Sequence, residues 1–407
     1  MFPWNEIHSH LLRVPGGDLL PSFVCSTRIF QGRPAADVLS SEIQRAGLKR
    51  ALFVTDPGVL KATLPGELEK ALPAGCVSVG TFSDVMQDPT AALMNALGRR
   101  CIEEKVDVLV AVGGGACLDA AKAAALVATH GGSVLDVVGE DKVRVAPLPV
   151  VCIPTTAGTG SEVSWHISVN DPERQLKVTV RSPLAVAMTA ILDPAMVATV
   201  PRPVIASSGM DALTHLLEAY VGNVGNWDLT EALCLHAIGM IGRSLVPYSN
   251  APADRHHALQ MQIAACMGGL ALSHSRTGIV HQMARPLGAR FHVPHGLANA
   301  VLLPWCVAFT HTSNAKRFAR LASVLGAWHA GDDEQRAAAR VAEVIHRLNA
   351  DLDVPRSLAP FGVRADALDD MAQDALQGKS AVTNPCHADK SDVVAIYRRA
   401  LEGAAHV

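Results

Sequence analysis

The chain has 407 residues, 49% of them hydrophobic, with 35 basic and 38 acidic side chains and a formal net charge of -3. No run of about 18 consecutive apolar residues is present, which argues against a membrane-spanning protein, and so weak a charge argues against binding to nucleic acid or an anionic membrane surface. At roughly 100 to 200 residues per domain, the length predicts two or three domains, each with its own core.

The nine cysteines are widely scattered and none forms a C-x-x-C pair, so we expect no disulfide framework. The first residues lack a basic segment followed by an apolar one, which predicts that there is no secretory signal. Together these features predict a cytoplasmic protein with reduced thiols.

In the first half of the chain, short apolar runs alternate with helix-compatible segments. The runs are Arg50–Asp56, Val77–Gly80, Val106–Val112 and Pro149–Ile153. Such alternation predicts a mostly parallel sheet covered by helices on both faces. The third run leads directly into Gly113, Gly114 and Gly115, and the segment Ala116–Thr129 that follows has the composition of a good helix.

The second half contains successive helix-compatible stretches without strand-like alternation. They are Ser207–Val221, Leu229–Leu245, His256–Leu272, Ala315–Leu325 and Asp333–Leu348. The segment Leu192–Pro203 holds three prolines and predicts a domain boundary. We therefore predict an α/β domain over residues 1–197 and an all-α domain over residues 198–407.

Two glycine- and hydroxyl-rich segments follow neighbouring strands and predict a cofactor site. The three glycines 113–115 can bring backbone N–H groups and a helix N-terminus close to a diphosphate, although tight turns also use glycine for geometry alone. The segment Pro154–Glu162 offers hydroxyls at the same carboxyl edge of the sheet. Asp56 at the end of an earlier strand can accept hydrogen bonds from a ribose and repel a 2'-phosphate, which favours NAD over NADP; the alternative is an Asx-turn cap before Pro57.

The helical half holds a candidate metal site. Asp211 and His215 are four residues apart and so share one helix face, and His281 and His295 supply two more imidazoles farther along. One carboxylate and three imidazoles suit Fe(II), with Zn(II) as the alternative. Each spacing alone is common by chance, and a structural role for these residues is the other interpretation.

In this order, the motifs resemble those of the iron-containing (group III) alcohol dehydrogenase family, which carries G-G-G-S-x-x-D-x-x-K, P-T-T-A-G-T-G-S-E, G-x-D-A-L-x-H and H-x-x-x-H-x9-H-G. The resemblance extends over roughly residues 25 to 400. It implies a dehydroquinate synthase-like architecture, in which an α/β dinucleotide-binding domain precedes a helical domain and the metal lies in the cleft between them.

The resemblance also implies roles for individual residues. The metal ligands would be Asp211, His215, His281 and His295. The diphosphate and ribose of the nicotinamide cofactor would be surrounded by Gly113, Gly114, Gly115, Ala116 and Asp119, with Thr155, Thr156 and Thr159 beside them. Lys177 matches a lysine that contacts the cofactor in the family, and a solvated strand lysine is the alternative.

The chain departs from the family pattern at several positions. Ala116 stands where the family has serine, and Arg285 stands where many members have a second histidine near the substrate. Because a guanidinium matches carboxylate or phosphonate oxygens, Arg285 with His274, Arg276 and His166 predicts a small anionic substrate. Each of these four is alternatively a solvated or salt-bridged group, and His292 is expected to be a structural histidine.

The predicted function is metal-dependent hydride transfer between NAD(H) and a small alcohol or aldehyde. The nearest alternative is a metal-independent enzyme that resembles the maleylacetate reductases and uses NADH. A non-catalytic nucleotide-binding protein and a dehydroquinate synthase-like lyase are more distant alternatives. The resemblance further implies a homodimer or a larger homo-oligomer.

Overall fold

The structure, a computed structural model, describes residues 23–62, 64–174, 176–225, 227–377 and 383–403. The segment on which the secretory-signal prediction rests lies outside these residues. The chain divides into two compact units. The α/β unit comprises the residues up to Thr156 together with Gly160–Thr199, and the helical unit comprises Ala157–Thr159 together with the residues from Val200 onward.

The α/β unit contains nine strands and five α-helices among its described residues. The strands are β1 (Arg28–Gln31), β2 (Arg50–Val54), β3 (Val77–Phe82), β4 (Val108–Gly113), β5 (Gly139–Glu140), β6 (Val150–Pro154), β7 (His166–Asp171), β8 (Leu176–Arg181) and β9 (Thr189–Leu192). The helices are α1 (Ala35–Ala46), α2 (Pro57–Lys61), α3 (Leu64–Lys70), α4 (Ala91–Glu103) and α5 (Gly115–His130).

Six of these strands form a parallel sheet in the order β1-β9-β6-β4-β2-β3, as predicted from the alternating pattern. The predicted runs correspond to β2, β3, β4 and β6, and the predicted helix after the glycines corresponds to α5. A second sheet, in the order β5-β8-β7, contains the antiparallel pair β7 and β8 and was not predicted.

The central strands of the parallel sheet are buried on both faces, because their successive residues point to opposite sides and both sides are covered. Leu52 and Val54 of β2 join one apolar cluster with residues of α4 and α5. Ala51 and Phe53 join another cluster with residues of α1. This explains why the central strands are continuous apolar runs, which made them recognisable in the sequence.

The described part of the helical unit contains nine α-helices. They are α6 (Arg202–Val221), α7 (Asp228–Asn250), α8 (Arg255–His274), α9 (Ile279–Phe291), α10 (His295–Thr310), α11 (Ala315–Val324), α12 (Glu334–Asp351), α13 (Leu368–Leu376) and α14 (Lys390–Glu402). The five predicted stretches correspond to α6, α7, α8, α11 and α12, so the prediction of a helical second half is confirmed. Pro203 lies inside α6 rather than before it, because a proline is tolerated in the first turn of a helix.

Among the described helices, α7 is the one that is long and apolar enough to cross a membrane by length and composition. Its mean hydropathy reaches 1.3 over the apolar window, and half of that window is buried. The helix packs against α6 and α8. Core helices of globular proteins pass the same test, so this is weak evidence for a membrane span.

The proline inside α10 is compensated by a side chain of another helix. Pro304 has no N–H group, so the carbonyl of Ala300 one turn earlier lacks its helical partner. The amide Nδ2 of Asn349 on α12 donates to that carbonyl at 2.7 Å. Asn349 thereby satisfies a buried acceptor that the proline leaves open.

We expect Asn349→Ala to lower the free energy of unfolding by about 1–3 kcal/mol, the usual cost of an unpaired buried acceptor. In a Pro304→Ala background the restored N–H can bond to Ala300, so the same substitution should cost much less. Urea unfolding of the four variants of this cycle measures the difference. Equal costs in both backgrounds would show that Asn349 does not compensate for the proline.

All nine cysteines are free thiols, and six of them are buried. Cys101, Cys117 and Cys152 lie in the α/β unit, and Cys234, Cys266 and Cys306 lie in the helical unit.

Candidate metal centre and cofactor-binding edge

Helix α6 is buried along most of its length and carries the first two predicted metal ligands. Asp211 and His215 lie one turn apart, with Asp211 Oδ1 3.8 Å from His215 Nε2. The i, i+4 spacing therefore places both donor atoms on one face of the helix, as predicted.

The other two predicted ligands lie on either side of a sharp turn. His281 is in the first turn of α9, and His292 ends that helix in the left-handed conformation with φ 54°. The chain then enters α10, whose first residue is His295. His292 thus has a structural role as the helix cap, a position that histidine tolerates better than most residues.

Gly296 lets α10 approach α6 closely. A Cβ atom at this position would lie 2.3 Å from the carbonyl oxygen of Ser207, one turn before Asp211 on α6. Any larger residue would push the two helices apart. The glycine that follows His295 in the sequence is therefore required to bring this imidazole to Asp211.

The four side chains meet in one cluster. One donor atom from each of Asp211, His215, His281 and His295 lies within 4.8 Å of all the others. Asp211 Oδ1 is 3.7 Å from Nε2 of both His281 and His295. The side chain of His295 is 42% exposed, whereas the other three are at most 10% exposed.

The charges of the cluster suit a divalent cation. Burial alone would raise the pKa of Asp211, but His215, His295 and His281 together with an amide lower it to about 2. Burial lowers the pKa of His215. One ionised carboxylate and converging imidazole nitrogens, mostly shielded from water, form a donor set that fits Fe(II) or Zn(II).

Two residues that the sequence analysis missed support this cluster. Asn299 Nδ2 donates to Asp211 Oδ1 at 2.7 Å and lies 3.3 Å from Nε2 of both His281 and His295. Glu218 Oε2 accepts a hydrogen bond from His281 Nδ1 at 2.6 Å. Their spacing was an available signal, since Asn299 follows His295 by four residues and Glu218 follows His215 by three.

The cofactor candidates of the α/β unit lie at the carboxyl edge of the parallel sheet. The connection from β2 leads to its neighbour β3 on one side. The connection from β4 leads to β6 on the other side, so the strand order reverses between β2 and β4 although all these strands are parallel. Ligands of open α/β sheets bind at such a switch point. Asp56 follows β2, and Gly113 ends β4.

Helix α5 begins at this switch point with Gly114 as its N-cap, and Gly115 and Ala116 form its first turn. The N–H groups of such a turn can bind phosphate oxygens, and a glycine N-cap offers no side chain to compete. The Oγ1 atom of Thr156 lies 3.4 Å from where a Cβ of Gly114 would stand. Thr155 donates its backbone N–H to the Gly113 carbonyl at 3.0 Å, while Thr159 belongs to the helical unit.

Asp56 acts as a helix cap in the structure. Its Oδ1 accepts from the backbone N–H groups of Gly58 and Val59 at 2.8 and 2.9 Å. The other oxygen, Oδ2, accepts a hydrogen bond from Cys117 Sγ at 3.5 Å. One carboxylate oxygen of Asp56 therefore caps the turn, which was the alternative to a ribose-binding role. Ribose recognition by Asp56 stays a prediction.

Asp119 and Lys177 have protein partners. The Asp119 carboxylate accepts hydrogen bonds from Ser161 Oγ and from the backbone N–H of Ser168, the latter at 2.8 Å. The exposed Lys177 forms an ion pair with Asp88 at 2.7 Å. Asp119 therefore links α5 to the segment after β6 and to β7, and its role toward a cofactor stays a prediction.

Of the four substrate candidates, Arg285 lies on the helix that also carries the predicted ligand His281. It stands one turn after His281 on α9, is exposed, and forms no hydrogen bond or ion pair with any described residue. His274 is buried, with Nδ1 2.8 Å from the carbonyl of Leu270, and Arg276 lies in the turn between α8 and α9. His166 begins β7 in the α/β unit.

Two family profiles match consecutive parts of the chain. The profile for iron-containing alcohol dehydrogenase matches residues 26–194, and the profile for the C-terminal domain of the Fe-containing alcohol dehydrogenase family matches residues 205–401. The chain belongs to the iron-containing alcohol dehydrogenase family. The resemblance inferred from the motifs is confirmed.

Other members of the iron-containing alcohol dehydrogenase family are similar over nearly their whole length. Long-chain-alcohol dehydrogenase 1 of Geobacillus thermodenitrificans is 36% identical over 376 residues, 91% of this chain and 94% of that protein. The NAD-dependent methanol dehydrogenase of Bacillus methanolicus is 32% identical over 371 residues, 91% of this chain and 97% of that protein. The crystal structure of a 1,3-propanediol oxidoreductase superposes with a TM-score of 0.89 at 30% identity, covering 94% of this chain and all of that one.

This iron-containing alcohol dehydrogenase therefore has the predicted fold class, an α/β unit followed by a helical unit. It is an oxidoreductase of a family that acts on alcohols and aldehydes.

Proposed function

We propose that the chain transfers hydride between NAD(H) and a small alcohol or aldehyde, with a divalent metal held by Asp211, His215, His281 and His295. The observation that carries the proposal is the convergence of these four donor atoms within 4.8 Å in the helical unit. The similarity to the NAD-dependent methanol dehydrogenase of Bacillus methanolicus supports NAD as the cofactor. Fe(II) is the metal that the family name implies, and Zn(II) fits the same ligands.

The candidate residues of both units have distinct roles in the proposed reaction. A divalent ion at the four ligands supplies Lewis-acid polarisation of a substrate oxygen. The first turn of α5 at Gly114, Gly115 and Ala116 binds the cofactor's diphosphate. Asp56 Oδ2 accepts one hydrogen bond from Cys117 Sγ and can accept a second from a ribose hydroxyl. Thr156 adds a hydroxyl at the same edge. The low pKa of Asp211 keeps this ligand ionised across the physiological pH range.

The decisive assay follows NADH oxidation with propanal, using enzyme stripped by a chelator and then reloaded anaerobically with Fe(II) or Zn(II). We expect activity to return with added metal only. Full activity of the stripped enzyme would refute the proposal in favour of a metal-independent, maleylacetate reductase-like reaction. Tight NADH binding without any hydride transfer would indicate a non-catalytic nucleotide-binding protein.

For the substrate, we propose a small aldehyde or alcohol that carries an anionic group bound by Arg285. An arginine is always charged at neutral pH, and this one has no partner among the described residues although it stands one turn from a metal ligand. A guanidinium without a carboxylate partner is well suited to bind a substrate carboxylate through two parallel hydrogen bonds.

Replacing Arg285 with glutamine is therefore expected to lower kcat/KM for succinic semialdehyde by about 10- to 150-fold, the equivalent of a charged hydrogen bond of about 1.5–3 kcal/mol, with little change for propanal. The matched control is Arg290→Gln on the same helix, because Arg290 is paired with Asp374 at 2.6 Å. Steady-state kinetics give the ratio of wild-type to variant kcat/KM for each of the two aldehydes. An equal loss for both substrates would argue against anion binding by Arg285.

A further inference from the structure

Glu218 extends the face of α6 that carries the metal ligands. It stands seven residues after Asp211 and three after His215, and these spacings place the three side chains on one side of the helix. Its side chain is 3% exposed. The carboxylate bridges two groups of α9, because Oε2 is 2.6 Å from His281 Nδ1 and Oε1 is 2.7 Å from the backbone N–H of Val280.

The site around Glu218 is suited to a carboxylate. Both partners donate hydrogen bonds, so an acceptor-only group satisfies both, whereas an amide can accept from one and would oppose the other. Val280 lies in the first turn of α9, where unpaired N–H groups and the helix dipole favour a negative charge.

Gly278, the N-cap of α9, allows the Glu218 carboxylate to lie close to the start of this helix. A Cβ atom at Gly278 would lie 3.0 Å from Glu218 Oε1 and 3.2 Å from its carboxyl carbon. A side chain there would displace the carboxylate from Val280. The turn before α9 is thus shaped to receive Glu218.

The bond to Nδ1 determines which ring nitrogen of His281 holds the proton. With Nδ1–H donated to Glu218, the lone pair of His281 lies on Nε2, the atom 3.7 Å from Asp211 Oδ1. The ring is also held in position, since a hydrogen bond donated by one ring nitrogen restricts rotation about the side-chain bonds.

We propose that Glu218 is a positioning residue that sets the metal affinity of the site by fixing the tautomer and orientation of His281. This inference rests on the proposed metal site. Partners of this kind, which orient a histidine ligand through its other nitrogen, typically contribute 10- to 100-fold to metal affinity. Glu218 also joins α6 to the start of α9, so one side chain aligns ligands from two helices.

The test compares wild type with Glu218→Gln and Glu218→Asp. Affinity for Co(II) is measured by competition with a chromophoric chelator, and the His281 tautomer of the metal-free protein by ¹⁵N NMR. We expect Glu218→Gln to weaken Co(II) binding by about 10- to 100-fold and to shift His281 away from the Nδ1–H form. Glu218→Asp, which keeps the charge, should recover part of the affinity. If the glutamine variant does not fold, the Co(II) affinity of Glu218→Asp tests the proposal in its place.

The matched control is Glu231→Gln, which removes the carboxylate of an ion pair with Arg317 (2.6 Å) in the same unit. It should lower thermal stability without changing Co(II) affinity. The proposal is overturned if Glu218→Gln keeps wild-type affinity and tautomer while only its melting temperature falls. Failure of wild type to bind Co(II) would instead refute the metal site, and the NMR measurement would still test the contact with His281.

Discussion

Substitution of Asp211 by alanine is expected to abolish metal retention and metal-supported activity. Asp211 is the only carboxylate of the four-donor cluster, and it faces all three imidazoles at 3.7–3.8 Å. Its loss removes the negative charge that offsets a divalent cation in a largely buried site. The effect should exceed the 10- to 100-fold typical of residues that only orient a ligand.

The same variant should lose the metal's contribution to stability. A ligand present at 1,000 times its Kd stabilises the folded state by about 4.1 kcal/mol. A chelator should therefore lower the thermal stability of the wild type but leave Asp211→Ala unchanged. Metal content, NADH oxidation with Fe(II) present, and melting temperature with and without chelator measure the three effects.

A matched control for this experiment is Asp228→Ala, which removes an exposed carboxylate at the start of α7. It should retain metal, activity and the response to chelator. Stoichiometric metal in Asp211→Ala would show that the four-residue assignment is wrong.

Replacing Lys122 with methionine should lower the free energy of unfolding by about 3–5 kcal/mol, the usual cost of breaking a buried ion pair. Lys122 on α5 is 2% exposed. Its Nζ donates to the backbone carbonyls of Ser161 and His166 at 2.9 and 2.8 Å, and it lies 3.3 Å from Asp119 Oδ1. Methionine fills a similar volume but leaves these carbonyls and the carboxylate without their cation.

The change should also weaken NADH binding, because Ser161 belongs to the segment after β6 that Lys122 holds against α5. Urea unfolding and NADH fluorescence titration give the two effects. Lys142→Met, at an exposed lysine of the same unit, should change stability by no more than about 0.5 kcal/mol. If the two methionine variants had the same free energy of unfolding, the contacts of the Lys122 ammonium with these carbonyls would not contribute to stability.

Local patterns were sufficient to predict the elements that carry the cofactor and metal candidates. The apolar run of β4 followed by three glycines predicted a strand, turn and helix, and the structure has them at Val108–Gly113 and Gly115–His130. Four-residue spacing predicted that Asp211 and His215 share a helix face. Side chains repeat their direction every two residues in a strand and about every four in a helix, and both periods can be read directly from a sequence.

Features that depend on distant partners were not predicted. The short strand β1 pairs with β9, some 160 residues away, and its four residues carry no strong pattern of their own. The spacing from His215 places Glu218 on the ligand face of its helix, but it does not identify its partner, His281, which lies 63 residues later. Lys122 was visible as part of a family motif, but its three carbonyl partners lie in the segment 161–166 and required the fold to be known.

The buried cysteines provide a readout of how the two units open. Burial raises the pKa of Cys101, Cys152 and Cys234 to about 12, so these thiols are protonated and unreactive while the chain is folded. Each unit holds three buried thiols, so pulse alkylation followed by peptide mapping reports the opening of each unit separately. After chelation, faster labelling of Cys234, Cys266 and Cys306 than of the other three would locate the loss of order in the unit that carries the proposed metal site.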